Sequence, residues 1–120
     1  MIKNVFFKSK LKIPQLPENI IHKNKLSQKI HSSLNKKKLV IVNASSGYGK
    51  TTFVTDYILK DNKAKFLWYS INEIDNDPIV FLTHIVRGLK DIFPEFNLDI
   101  INLILSNNIE NIITTITALI

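Results

Sequence analysis

The stretch LVIVNASSGYGKTTF, residues 39–53, constrains this chain more than any other. Four apolar residues, three of them β-branched, run straight into a glycine-bearing turn and then into Lys-Thr-Thr. An unbroken apolar run of this length predicts a buried strand at KLVIVN, residues 38–43. The residues after the turn predict a helix from about Gly49 to Lys60, with Phe53, Val54, Tyr57 and Ile58 on one face. Between them, Ala44, Ser45, Ser46, Gly47, Tyr48, Gly49, Lys50 and Thr51 fill the pattern small-x-x-x-x-Gly-Lys-Thr. The chemistry explains each requirement. Gly47 and Gly49 allow torsions and a closeness of approach that a Cβ would block. Successive backbone N–H groups then form an anion-holding nest, and the helix N-terminus adds unpaired donors. Lys50 can reach β- and γ-phosphates, the Thr51 hydroxyl suits Mg²⁺, and Thr52 is placed for an α-phosphate. The pattern specifies a nucleotide's phosphates and leaves its base open.

The other segments supply context. Pro14 and Pro17 keep residues 1–23 extended. Leu26, Ile30 and Leu34 recur at helical spacing, so a short helix is expected from Asn24 to Asn35. KFLWYSI, residues 65–71, predicts a second strand. Asp77 followed by Pro78 predicts a capped helix carrying Ile79, Leu82, Val86 and Leu89 and ending before Pro94. Two further short helices are expected at 98–106 and 109–119. The order strand, helix, strand, helix predicts an α/β fold with an incomplete parallel sheet and flanking helices. Trp68 is expected in the core. His22, His31 and His84 show no metal-ligand spacing and read as surface or boundary residues.

Composition narrows the classes. The chain has 120 residues and no cysteine, which excludes a disulfide framework and thiolate metal sites. No apolar run is long enough for a membrane span, and no signal peptide is legible, so a cytoplasmic location is expected. The net charge of +6 is uneven. Residues 1–40 carry ten lysines against Glu18 alone, whereas residues 41–120 are slightly acidic. A basic arm can signal nucleic acid, but a reader of DNA bases would be expected to use arginine forks, and Arg87 is the only arginine. Direct DNA binding by this chain is therefore not expected.

Three blocks carry a family resemblance: KSKLKIPQLPENIIHKNKL, ASSGYGKTTF and FLWYSINEIDNDPIVFLTHIVRGL. In that order they resemble the N-terminal part of the large MalT-type regulators of the LuxR family, signal-transduction ATPases of the STAND class. The resemblance implies a partial P-loop NTPase domain at 37–120, preceded by a basic arm and adenine-side segment at 1–36. It implies ATP and Mg²⁺ as ligands, held by Gly47, Gly49, Lys50, Thr51 and Thr52. It puts Ile20, Ile21, Lys23 and Leu26 on the adenine side, with Lys23 where the family uses arginine. Trp68, Ser70, Asp75, Asn76, Asp77 and Pro78 match the third block, while Asn72 replaces an expected Asp. Asp77 is accounted for as a helix cap. The other reading of Asp75, Asn76 and Asp77 is that one of them faces the γ-phosphate or its water.

The acidic strand end that such ATPases use for Mg²⁺ is not found after Trp68. The expectation is therefore a piece truncated before that element, partner to the remaining domains of a multidomain regulator. Such a piece would hydrolyse ATP poorly or not at all, and its uncovered sheet edge predicts poor stability in isolation. Two other readings stay open: a small phosphotransferase, and a nucleic-acid-binding module using Lys8, Lys10, Lys12 and Lys36 to Lys38.

Overall fold

A computed structural model describes residues 6–61 and 63–97 together with the isolated positions 99, 102 and 117. Three α-helices run at Asn24–Leu34 (α1), Lys50–Lys60 (α2) and Pro78–Ile92 (α3), and short 3-10 turns occupy Lys8–Leu11 and Glu73–Asn76. The chain divides into two compact units, one spanning Ile13–Ala64 and the other formed by the N-terminal arm up to Lys12 with the chain from Lys65 onward. The helices expected at 98–106 and 109–119 lie outside the described residues, apart from the three isolated positions.

The expected α/β architecture is overturned. Among the described residues the structure is helical, with no strand and no sheet. A strand exists only by pairing, because its N–H and C=O groups need a neighbouring chain to complete a ladder. Among the described residues, residues 38–43 make no backbone hydrogen bond to another segment. They leave Leu39 and Ile41 73% and 78% exposed, where a central strand would bury them. Among the described residues, residues 65–71 make one such bond, from Ser70 N–H to the Lys10 carbonyl at 2.8 Å. One bond is not a ladder. β-Branched composition favours extended backbone but cannot supply the partner.

The helices follow their local signals closely. α1 begins at Asn24 with no side-chain cap, and its stripe of Leu26, Ile30 and Leu34 is only partly covered. α2 starts immediately after Gly49. It buries Phe53 as expected, but also Thr55 and Asp56, while Val54, Tyr57 and Ile58 are only half-buried. The His31 ring nitrogen and the Tyr57 hydroxyl meet at 3.2 Å, tying α1 to α2. α3 is capped by the Asp77 carboxylate, which accepts from Ile79 N–H at 2.8 Å, with Pro78 at its first position. It ends at Ile92, two residues before Pro94, because a proline restricts the residue before it.

The second unit holds the better core. Ile79, Leu82 and Val86 of α3 pack with Phe81 and Phe96. Gly88 sits so close to the Leu67 side chain that a Cβ there would fall 2.3 Å from it. The arm docks through His84, which is fully buried and not the boundary residue its sequence context predicts. Phe7 N–H donates to His84 Nε2 at 3.0 Å, so Nδ1 carries the proton of a neutral ring and donates to the Val80 carbonyl at 2.8 Å. Tyr69 stacks on the same imidazole at 5.4 Å between centroids, and Phe6 lies at 5.1 Å. Trp68 is half-buried, its indole N–H donating to Ser70 Oγ at 2.9 Å.

Candidate functional site

Residues 44–49 form a turn that leads into α2. Gly47 and Gly49 have φ of +83° and +76°, in the left-handed region where L-residues are strained. A Cβ at either would meet nothing within 4 Å, so the space beside both glycines is open to a ligand. Tyr48 N–H reaches back to the Ser45 carbonyl at 3.4 Å, and Phe53 N–H makes a first helical bond to the Gly49 carbonyl at 2.9 Å. No side chain caps α2. Its first-turn amides at Lys50, Thr51 and Thr52 therefore have no partner within the helix, as at any helix start. The Lys50 ammonium folds back over the turn, donating to the Ala44 carbonyl and, at 3.1 Å, to that of Ser45. The loop's cation is thus held at the turn by the loop's own carbonyls.

Two cavities of the first unit adjoin this turn. One, of about 320 Å³, is lined by Lys23, Leu26, Ala44, Tyr48, Gly49 and Lys50 among others. The second, of about 270 Å³, brings Ile20, Ile21 and Lys23 together with Gly49, Thr52 and Asp56. Residues expected on the adenine side and residues expected at the phosphates therefore share these walls. Ser45, Ser46, Gly47 and Thr51 line neither cavity, and Ser46, Gly47 and Thr51 are exposed on the turn and the first turn of α2. An exposed threonine hydroxyl at that place can give a hard cation one ligand, the rest coming from phosphate and water, which is how Mg²⁺ is usually held. Among the described residues no group of three His, Asp or Glu could hold a metal ion by itself.

Asp56 is the site residue that sequence reasoning missed. It is 4% exposed and lies against His22 and Lys60. His22 Nδ1 stands 3.1 and 3.0 Å from its two oxygens, and Lys60 Nζ donates to it at 2.9 Å. Lys60 Nζ is also 2.9 Å from His22 Nδ1, so the three groups form a closed set. The hydrogen bond from His22, opposed by burial and aided by Lys60, holds the Asp56 carboxyl below the usual aspartate value. The legible signal was Thr52, Asp56 and Lys60 at i, i+4, i+8 on one helix face. His22 could not be added to it without coordinates.

Asp75 is placed differently from either sequence reading. Its side chain is 1% exposed and paired with Lys10, itself buried. It accepts from the Tyr69 hydroxyl and from Asn72 N–H at 2.8 Å, while Lys10 also donates to Asn72 Oδ1 at 2.8 Å. Burial opposes ionisation, but Lys10, Tyr69 and Asn72 together outweigh it and hold the Asp75 carboxyl at about 2. Burial and the adjoining carboxylate push the Tyr69 phenol above its usual range. Asp77 is the α3 cap, and Asn76 ends the preceding 3-10 turn.

Comparison with known proteins adds a relationship in sequence. Over 82 residues, 68% of this chain, it is 35% identical to the HTH-type transcriptional regulator MalT of Serratia proteamaculans (strain 568). Over the same length it is 32% identical to the MalT regulator of Yersinia enterocolitica and 30% identical to that of Yersinia pestis (strain Pestoides F). No protein-family model matches the chain, and no solved structure matches it significantly. The matched segment spans about 9% of the length of these relatives.

Proposed function

We propose that this chain is the nucleotide-binding N-terminal segment of a signal-dependent transcriptional regulator of the STAND class, taking ATP with Mg²⁺ on residues 44–52. The observation that carries this reading is the turn itself, with two left-handed glycines, open space beside each, and the Lys50 ammonium folded over it. Gly47, Gly49 and the amides from Lys50 to Thr52 would hold the phosphates, with Ser45, Ser46 and Tyr48 shaping the turn. Lys50 would exchange two neutral carbonyl acceptors for anionic phosphate oxygens, a gain because both partners of each bond would then carry charge. Thr51 would give Mg²⁺ its protein ligand. Ile21 and Lys23 would flank the base. The remaining domains of the regulator would supply signal sensing and DNA binding, and this segment would bind ATP without turning it over. Asp75 and Asp77, the carboxylates nearest the family pattern, are already committed to an ion pair and a helix cap.

The test is ATP affinity by calorimetry, with and without Mg²⁺, for the native chain and Lys50→Ala. Removing one charged donor is expected to weaken binding by about 10- to 100-fold. Equal, weak binding by both proteins would remove the basis for the proposal.

A further inference from the structure

We infer that the cleft between α1 and α2 is a docking groove for an acidic, extended segment of a partner protein, with Lys36 and Lys63 taking its carboxylates. The groove is separate from the nucleotide turn, since no residue from 44 to 52 lines it.

The cleft measures about 700 Å³, more than twice either cavity beside the turn. It lies within one compact unit, so its walls belong together. Ser27, Gln28 and His31 come from α1, Tyr57 and Lys60 from α2. Asn35, Lys36, Asp61 and Lys63 come from the turns that follow the two helices. The contact of His31 with the Tyr57 hydroxyl at 3.2 Å ties one wall to the other.

Charges already committed leave the cleft cationic. Lys60 is paired with Asp56. Asp61 turns one oxygen to its own turn, accepting from Lys63 N–H at 2.9 Å and Ala64 N–H at 3.3 Å. The Lys36 and Lys63 ammoniums have no acceptor among the described residues. The unit around them carries nine lysines against three acidic residues, a net charge of +6, whereas the rest of the chain is neutral overall. Such a field draws acidic partners and raises their rate of encounter.

The neutral lining decides the kind of anion. The amides of Gln28 and Asn35 each donate and accept, and a peptide main chain presents the same two functions in alternation. Ser27 Oγ is buried and has no hydrogen-bond partner among the described residues. A main-chain group laid against that wall supplies one. A small anion between two exposed ammoniums gains little, because water and salt screen such pairs. A chain that spans both lysines makes the second contact intramolecular. Nucleic acid is disfavoured because Arg87, the only arginine, belongs to the other unit.

The experiment follows the anisotropy of a labelled peptide of alternating glutamate and alanine on the full chain, beside its glutamine counterpart. The glutamate peptide is expected to bind about tenfold more tightly or better. Lys36→Glu/Lys63→Glu should weaken it by about tenfold or more, because each reversal replaces attraction with repulsion. Lys37→Glu/Lys38→Glu changes the net charge equally at neighbours outside the cleft, and should cost less than about threefold. Lys50→Ala should bind the peptide like the native chain, so a failure of the nucleotide reading stays distinguishable. Equal binding of the two peptides, binding of neither, or equal losses in the two lysine pairs overturns the inference, and the first two need no variant. A single-stranded oligonucleotide that displaces the peptide and depends on the same two lysines would also overturn it, in favour of nucleic acid.

Discussion

Replacing Lys10 with methionine tests how the N-terminal arm is held. Lys10 is 7% exposed, and its ammonium serves the Asp75 carboxylate and Asn72 Oδ1 at once. Methionine nearly preserves the aliphatic stem and removes the charge. Among the described residues, Asp75 then keeps only the Tyr69 hydroxyl and Asn72 N–H as donors, in a position from which water is excluded. Breaking one side of a buried pair costs about 3–5 kcal/mol. That is a large part of the stability of a small domain, about 5–15 kcal/mol. The double variant Lys10→Met/Asp75→Asn should recover part of the loss, because no buried charge remains. The assay is urea unfolding followed by the fluorescence of Trp68, the chain's single tryptophan, which lies in the same unit. A second readout is acid. Asp75 titrates at about 2 in the folded chain against 3.8 ordinarily, so its ionisation stabilises fully above about pH 4. That contribution, about 2 kcal/mol, is lost as pH falls from 4 through 2. Asp75→Asn should flatten this part of the profile. A cost below about 1 kcal/mol for Lys10→Met, or identical acid profiles for the native chain and Asp75→Asn, would refute the reasoning.

Two other outcomes follow from the backbone and the surface. Gly49→Ala should lower stability by about 1–2 kcal/mol in thermal melts, because alanine pays for the left-handed torsion although nothing blocks its methyl. The same variant should weaken ATP binding. Ile41→Lys should leave helical circular dichroism unchanged and reduce concentration-dependent light scattering, because Ile41 is exposed within an apolar, β-prone run.

Helix limits were readable because their causes are local. Asp77 and Pro78 start α3 by a hydrogen bond to an amide two residues away and a preset torsion. Gly49 marks the start of α2 because only its neighbours need to know its φ. The turn between Ala44 and Gly49 was readable for the same reason, down to its two left-handed glycines. The strands at 38–43 and 65–71 were misread because a strand is defined by a partner that its own residues cannot name. The roles of Asp56, Asp75 and His84 were also hidden. Each depends on a residue 34 to 77 positions away: His22 for Asp56, Lys10 for Asp75, Phe7 for His84.

Residue order alone therefore determined where this chain coils and where it turns, since those outcomes need only torsions and neighbours within a few positions. Tertiary structure decided which polar groups lost water. Burial and long-range pairing made Lys10 and Asp75 an interior ion pair, His84 a neutral anchor for the arm, and Asp56 the charged wall of a cavity beside the loop. Desolvation is a property of the assembled surroundings, and no single segment carries it.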